Sequence, residues 1–304
     1  MTQTADQHFI EQFNRRAHHK YQAQGFMLRS TVMPAERIEG TKAYFPVFGK
    51  GQAKKKRRGV DATPMNPDRA RPEATLETWE AFDYIYYQDL SRTNVNEREN
   101  IATIGANALG RATDNELVDK WNGTASTGAP IGSGLTPFLD KDGMPAMVGD
   151  GTEDFGLGFA MRMCSALEQA DVPTDGRWFC PLPSIQWNLL MTYKQFNSAD
   201  WVGGDLSFIK GGRKAKFWNG VHWFLAPGEY FRQPGGPATV DICLWHYGAM
   251  GWANNTTLKS WWDWENKKGA WSMRMESEGA AAAVLPNGLV RGRFKAFSEL
   301  GLEP

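Results

Sequence analysis

The segment from Gly49 to Pro72 restricts the possible folds more than any other part of the sequence. It is about two dozen residues long, shows no apolar periodicity and contains three prolines. The flanking residues 41–49 and 75–90 are typical of β-strands, and Pro46 indicates an edge position. Because irregular loops of this length are uncommon inside compact domains, the pattern predicts an extended two-stranded arm that lies on a neighbouring subunit.

A long amphipathic helix is predicted for residues 94–122. Asn94 and Glu97 have the spacing of a capping box, and Asn122-Gly123 is a typical C-terminal stop. Such a helix is on the order of 40 Å long, which is long for a globular protein. The predicted apolar face consists of Ile101, Ile104, Ala108, Leu109, Ala112, Leu117, Val118 and Trp121.

Shorter elements are predicted on both sides of this helix. Residues 1–30 indicate a polar helical arm with a narrow apolar stripe, and residues 123–152 are rich in glycine. A second helix is expected at about 153–170, and Ser184 is expected to cap a short third helix. The strands expected are 177–181, 205–209, 214–218, 221–225, 239–245, 269–278 and 289–294, with a helix start considered for 246–254.

The composition argues against several classes of protein. Lys plus Arg and Asp plus Glu are both 34, so the chain has no net charge with which to hold nucleic acid. Cys164, Cys180 and Cys243 are an odd number without Cys-x-x-Cys spacing, which disfavours a disulfide framework or a zinc site. Because no signal peptide or membrane-spanning run is present, we expect a cytoplasmic protein, or a particle assembled in the cytoplasm, without a membrane partner.

No catalytic motif is found in the sequence. It contains no metal-binding histidine spacing, no phosphate-binding glycine loop and no nucleophile elbow. His222 and His246 are interpreted as structural histidines because no third ligand is suitably spaced. We therefore expect no enzyme activity, no cofactor and no metal.

Several segments, taken in order, are similar to a known family. Ala108–Asp114 reads Ala-Leu-Gly-Arg-Ala-Thr-Asp, and Ala166–Pro173 ends in Val-Pro shortly before Arg177 opens a strand. Together with Phe26–Gly49, Tyr84–Asn94, Gly220–Pro227 and Ala280–Val290, they resemble the HK97-like major capsid proteins of tailed double-stranded-DNA bacteriophages. The resemblance covers roughly residues 25–295 but not the Trp-rich block 252–271.

The resemblance implies an α+β, HK97-like capsid fold with four parts. These are an N-terminal arm (1–38), an extended β-hairpin called the E-loop (39–92), a P-domain with a long spine helix (93–135 and 270–304) and an A-domain (136–269). It also implies pentamers and hexamers that close an icosahedral shell around the phage genome.

The resemblance implies partners as well. We expect a separate scaffolding protein, a portal, packaged double-stranded DNA bound without sequence specificity and, as an open alternative, decoration proteins. The expected location is the virion capsid, assembled in the host bacterial cytoplasm.

The basic run Lys54–Arg58 lies at the predicted E-loop tip. Contact with acidic residues of a neighbour is favoured over plain solvation, and DNA binding is favoured least. The candidates for contacts between subunits are Lys54, Lys55, Lys56, Arg57, Arg58, Phe45, Phe48, Trp79, Arg15 and Arg16.

Two alternatives remain open from the sequence. An encapsulin-like compartment shell would keep the fold and change the role. A Trp-rich carbohydrate-binding protein would use Asp263 and Glu265 near Trp264, although the tryptophans of residues 245–271 are better explained by core or interface packing.

Overall fold

The computed structural model describes residues 25–56, 58–59, 61, 64–87, 97–121, 147–197, 215–231 and 238–296. The chain divides into two compact units: unit 1 (1–29, 76–114 and 254–279) and unit 2 (30–75, 115–253 and 280–304). The α-helices of the described residues are α1 (Glu97–Trp121), α2 (Leu157–Gln169), α3 (Ser184–Thr192) and α4 (Lys194–Asn197). The strands of the described residues are β1 (Met33–Pro34), β2 (Arg37–Glu39), β3 (Lys42–Tyr44), β4 (Val47–Phe48), β5 (Arg69–Ala70), β6 (Glu73–Thr75), β7 (Glu77–Tyr86), β8 (Met147–Val148), β9 (Trp178–Leu182), β10 (Ala215–Trp218), β11 (Val221–Leu225), β12 (Thr239–His246), β13 (Met250–Glu265), β14 (Ala270–Ala283) and β15 (Leu289–Lys295).

Unit 1 is built from a sheet with the N-terminal part of α1 packed on one face. β14 lies between β13 and β7, and it pairs antiparallel with β7 from Ala270 opposite Tyr86 to Gly279 opposite Glu77. Successive side chains of a strand point to opposite faces. On the helix-facing side, Leu109 of α1 forms a buried cluster with Met273 and Met275, against which Trp79 and Trp262 pack.

The spine helix predicted from the sequence is present as α1. Its 25 residues correspond to a length of roughly 37 Å. Leu109, Leu117 and Trp121 are buried as predicted, because they recur on one face at four-residue multiples. Ile104 was wrongly placed on that face, since it is 43% exposed. The predicted capping residue Asn94 lies outside the described residues.

Unit 2 contains a six-stranded mixed sheet in the order β10-β11-β9-β12-β15-β8. β9 runs parallel to β11 and antiparallel to β12, which pairs antiparallel with β15. β12 is an almost continuous apolar run because the sheet is covered on both sides there. Its buried Asp241 lies opposite Arg293, and the two form a bidentate ion pair of 2.8 and 3.1 Å.

Aromatic side chains and helix α2 fill the core of unit 2. Trp178, Trp223 and Trp245 are fully buried, and α2 packs on β15. α2 is shorter than the predicted 153–170 because Gly156, in extended conformation, precedes its first turn. The prediction that Ser184 caps α3 is wrong: Pro183 occupies the N-cap position, and no side chain caps the helix.

The strand predicted for residues 41–49 is split into β3 and β4. The amide of Phe45 donates to the carbonyl of Pro72 at 3.0 Å, and the strand is interrupted at residues 45–46. β3 pairs antiparallel with β2 and β6, and β4 pairs antiparallel with β5. Between β4 and β5 the described residues contain no regular structure, as the sequence predicted.

The Trp-rich block forms a long β-hairpin. The predicted helix start at 246–254 is wrong, because a single 3-10 turn (Tyr247–Ala249) leads directly into β13. Residues 266–269 form the turn to β14. Residues 254–269, which the sequence-based division placed in the A-domain, belong to unit 1 with most of α1.

Candidate intersubunit surfaces

The stem of the arm, residues 37–48 and 69–75, is held by charged and aromatic side chains. Lys42 and Glu73 form an ion pair of 2.7 Å, and Glu39 pairs with Arg37 at 2.6 Å and Arg71 at 3.5 Å. The guanidinium of Arg71 also stacks 3.6 Å from the centre of the Tyr44 ring. All these ion pairs are exposed, so each contributes little stability alone. The Lys42–Glu73 and Arg71–Glu39 pairs join different segments of the stem and so favour the observed register.

The tip of the arm presents cations to solvent. Lys54, Lys55, Lys56 and Arg58 are exposed, and among the described residues they form no ion pair. Arg57, together with Arg15 and Arg16 of the N-terminal arm, lies outside the described residues. The tip is therefore a concentrated positive charge without an acidic partner in the part of the chain that the structure describes.

The apolar candidates are in three different environments. Phe48 is 68% exposed, with Arg69 5.6 Å from its ring centre, and it remains a surface candidate. Phe45 is only 1% exposed, and its ring lies against Gly251, where a Cβ atom would be 2.2 Å from the ring. We therefore remove Phe45 from the surface candidates, because its own unit already buries it. Trp79 is half-buried against the core of unit 1.

The face of the unit 1 sheet turned away from α1, here called the outer face, carries a shallow cleft of about 430 Å³. It is lined by Phe82 of β7, Trp261, Asp263 and Glu265 of β13, and Arg274 and Glu276 of β14. The two aromatic rings are nearly half exposed, at 46% and 42%. Three carboxylates thus surround one guanidinium beside open aromatic surfaces.

Ion pairs within the outer face leave it net acidic. Arg274 bonds to Glu80 at 3.0 Å and to Glu276. Lys268 lies 3.7 Å from Glu265 and close to the Tyr84 hydroxyl, which raises the pKa of this lysine. The Asp263 carboxylate is exposed and forms no ion pair with the described residues.

Sequence reasoning singled out Asp263 and Glu265 but missed the rest of this cleft. The aromatic partner is Trp261 rather than Trp264, because Trp264 points to the other side and contacts Trp271 and Tyr87 edge-to-face. The signal that could have found Phe82, Arg274 and Glu276 is strand alternation. Every second residue of β7 and β14 lies on one face, and pairing those two strands brings the sets together.

The remaining chemical groups have structural roles. Cys164, Cys180 and Cys243 are buried free thiols, and burial raises the pKa of each, to about 11 for Cys164. His222 stacks on Phe179, and Nδ1 of His246 accepts a hydrogen bond from the Gly248 amide. The described residues contain no cluster of metal-binding side chains and no helix long and apolar enough to cross a membrane.

Comparison with known proteins decides the family. Residues 5–296 match the sequence profile described as "Phage capsid protein", which is nearly the whole chain. The chain belongs to the phage capsid protein family. No curated protein matches its sequence. The family is structural, so the carbohydrate-binding and compartment alternatives gain no support.

Solved structures confirm the predicted α+β, HK97-like capsid fold. The capsid protein resembles the cyanophage Pam1 capsid asymmetric unit (TM-score 0.69, 12% identity, 94% of this chain and 96% of that chain). It is also similar to the capsid structure of cyanophage P-SCSP1u (0.68, 13%, 92% and 90%) and to the capsid of Ralstonia phage GP4 (0.67, 11%, 93% and 94%). The capsid protein is thus a shell subunit that assembles into an oligomer and resides in the virion capsid.

Proposed function

We propose that this capsid protein is the major head subunit of a tailed phage. Its pentamers and hexamers close an icosahedral shell around double-stranded DNA. The observation that carries this proposal is the arm of residues 37–75, whose stem is ordered and whose tip exposes charge and apolar surface that unit 2 itself does not cover. An arm of this kind stabilises a shell by reaching a neighbour, because ring closure multiplies contacts that are weak individually.

The proposal keeps the four-part division of the chain: N-terminal arm, E-loop, P-domain and A-domain. Unit 1 supplies the sheet and most of the helix expected in a P-domain, and unit 2 supplies the six-stranded sheet expected in an A-domain. The boundary proposed at residue 269 is moved to 253, because residues 254–265 pair with β14 inside unit 1.

The proposed partners follow from charge and from assembly. A separate scaffolding protein directs closure, a portal occupies one vertex, and decoration proteins remain an open alternative. The zero net charge suits an inner wall that encloses DNA without binding it tightly, while a motor packages the DNA into the shell. Assembly takes place in the bacterial cytoplasm.

The arm is tested by removing its tip and keeping its stem. Replacing Gly51–Pro67 with an Asn-Gly turn retains β4 and β5, because the Gly49 amide already donates to the Asp68 carbonyl at 2.6 Å. We expect the variant to fold but to yield no shells with a co-expressed scaffold, as judged by negative-stain electron microscopy and size-exclusion chromatography.

A matched control changes the same tip without shortening it. Gln52→Ala and Asp61→Asn leave the basic run in place, and shells should form at the yield of the unaltered protein. Normal shells from the shortened variant would contradict the proposed role of the arm. A monomer from the unaltered protein, with and without scaffold, would contradict the proposed function as a whole.

A further inference from the structure

An ion pair within unit 2 joins the base of the arm to the C-terminal end of α2. The amide of Gly49 donates to the carbonyl of Asp68 at 2.6 Å, and Lys50 is the next residue of the chain. The ammonium group of Lys50 donates to the carboxylate of Asp171, which lies two residues beyond α2. The pair therefore connects the point where the irregular tip leaves the stem to the helix that packs on β15.

Asp171 occupies a backbone position that favours glycine. Its amide donates to the carbonyl of Glu168 at 3.0 Å, and the amide of Val172 donates to the carbonyl of Leu167 at 3.1 Å. These two hydrogen bonds are those of a Schellman motif at a helix end. Asp171 has a φ of 56°, in the left-handed region where glycine is usual and asparagine comes second. The backbone alone therefore does not explain an aspartate at this position.

The charge of Asp171 is also unfavourable for the helix. The C-terminal end of a helix carries a partial negative charge, so a carboxylate there is destabilising and a cation is stabilising. Lys50 supplies a cation at this end, and its hydrogen bond and charge hold the pKa of Asp171 below the ordinary value. Glycine would suit the helix end better, whereas contact with the arm requires the carboxylate.

We propose that Lys50 and Asp171 form a latch that fixes the direction in which the arm leaves unit 2. The inference deepens the proposed function and rests on it for the consequence in assembly, because an arm that is ordered in the free subunit loses less entropy on binding. Both side chains remain exposed, at 80% and 73%. Exposed ion pairs are weak and are screened by salt, so the latch can open without unfolding unit 2.

The distance between two spin labels measures the latch in the unassembled subunit. The labels are attached at Gln52→Cys on the arm and Ser165→Cys on α2, which are both exposed positions, whereas the three native thiols are buried. Double electron–electron resonance should give one narrow distance distribution when Asp171 is present. With Asp171→Asn, which tolerates the same backbone conformation, we expect a distribution about twice as wide, because the arm is no longer held at its base.

The matched control is Glu168→Gln. Glu168 is an exposed acid in the last turn of α2 and forms no ion pair with the described residues, so its replacement should leave the distribution narrow. At about 1 M salt, where the screening length falls to about 3 Å, the distribution should widen with Asp171 present and stay unchanged in Asp171→Asn. Equal widths for the unaltered residue, Asp171→Asn and Glu168→Gln would overturn the latch.

Asp171→Gly separates a latch from a role in the helix end alone. Because glycine is favoured at this position, we expect the midpoint of thermal unfolding to stay the same or rise. The distance distribution should nevertheless widen as it does with asparagine. An unchanged distribution together with a lowered midpoint would assign Asp171 to the helix end and contradict the latch.

Shell assembly separates failure of the latch from failure of the proposed function. With a co-expressed scaffold, we expect Asp171→Asn to lower shell yield about threefold, because an unlatched arm must be ordered during assembly. Wider distances with undiminished shells would overturn the contribution of the latch to assembly. Narrow distances and normal shells from Asp171→Asn would overturn the latch and leave the capsid function intact, whereas absence of shells from the unaltered protein, with the expected distances, would overturn the function alone.

Discussion

At the scale of single residues, Asp114 explains why the spine helix carries an acid on its buried side. Its side chain is fully buried, and its two oxygens accept hydrogen bonds from the amides of Met27 (2.9 Å) and Leu28 (3.0 Å). The preceding Phe26 has a φ of 62°. The buried carboxylate thus accepts hydrogen bonds from two backbone amides that have no strand partner at this turn of the chain.

Replacing this carboxylate should cost stability. Asp114→Asn keeps the shape but leaves one amide facing an NH₂ group, so we expect the free energy of unfolding to fall by about 2 kcal/mol. Urea denaturation followed by tryptophan fluorescence measures the change. Asp61→Asn, at an exposed position, is the control and should lie within about 0.5 kcal/mol of the unaltered protein. Equal effects of both variants would contradict the role assigned to Asp114.

Gly110 shows a second constraint at this scale. A Cβ atom at Gly110 would lie 2.7 Å from Cα of Gly25, so two backbones meet here without side chains between them. Alanine is the better helix former by about 1 kcal/mol. The glycine within Ala-Leu-Gly-Arg is therefore explained by the close approach of these two backbone segments and not by helix propensity.

At the scale of elements, the packing of α1 on its sheet depends on methionines. Met275 is buried beside Leu109, and a Cβ atom at Gly105 would lie 2.8 Å from its sulfur. The flexible thioether fills the gap that the glycine leaves on the helix.

Truncating Met275 should leave a cavity in this core. We expect Met275→Ala to lower the free energy of unfolding by about 3 kcal/mol. The same change at Met161, which is 51% exposed on α2, is the control and should have almost no effect. Thermal unfolding of both variants measures the difference. A small loss of stability in Met275→Ala would contradict this expectation, because it would show that helix and sheet close the cavity without a free-energy cost.

The elements that sequence patterns predicted are those with local causes. The length of α1, the irregular stretch of the arm and the strands β9, β11 and β15 follow from periodicity and turn residues. The Trp-rich hairpin was not predicted, because β13 is defined by its cross-strand partner rather than by alternation of its own residues. Ser184 was wrongly expected to be a cap, because the strand preceding α3 ends in Pro183.

At the scale of the whole molecule, the zero net charge of the chain matters for the packing of many copies in one shell. Equal numbers of basic and acidic residues mean that many copies can pack without strong self-repulsion. The cations at the tip and the carboxylates on the outer face are local departures from that balance.

This distribution predicts weak binding to free DNA. In fluorescence anisotropy with a labelled duplex at about 150 mM salt, we expect no saturable binding by the capsid protein, because no net positive charge releases counterions. Lys54→Glu with Lys56→Glu should leave the signal unchanged. Binding that this variant abolishes would instead assign the basic run to nucleic acid.

The class of fold was implied by the resemblance to a known family, whereas the sequence by itself determined the long helix, the position of the arm and the exposure of its basic tip. These features depend on residues close together in the chain, through periodicity, proline placement and charge. Only the tertiary structure decided that Phe45 is buried against Gly251, that Asp114 binds the amides of residues 27 and 28, and that Asp263 shares a cleft with Phe82 and Arg274. Each of these contacts joins residues far apart in sequence. Strand register and helix packing bring such residues together, and neither is encoded in a local sequence pattern.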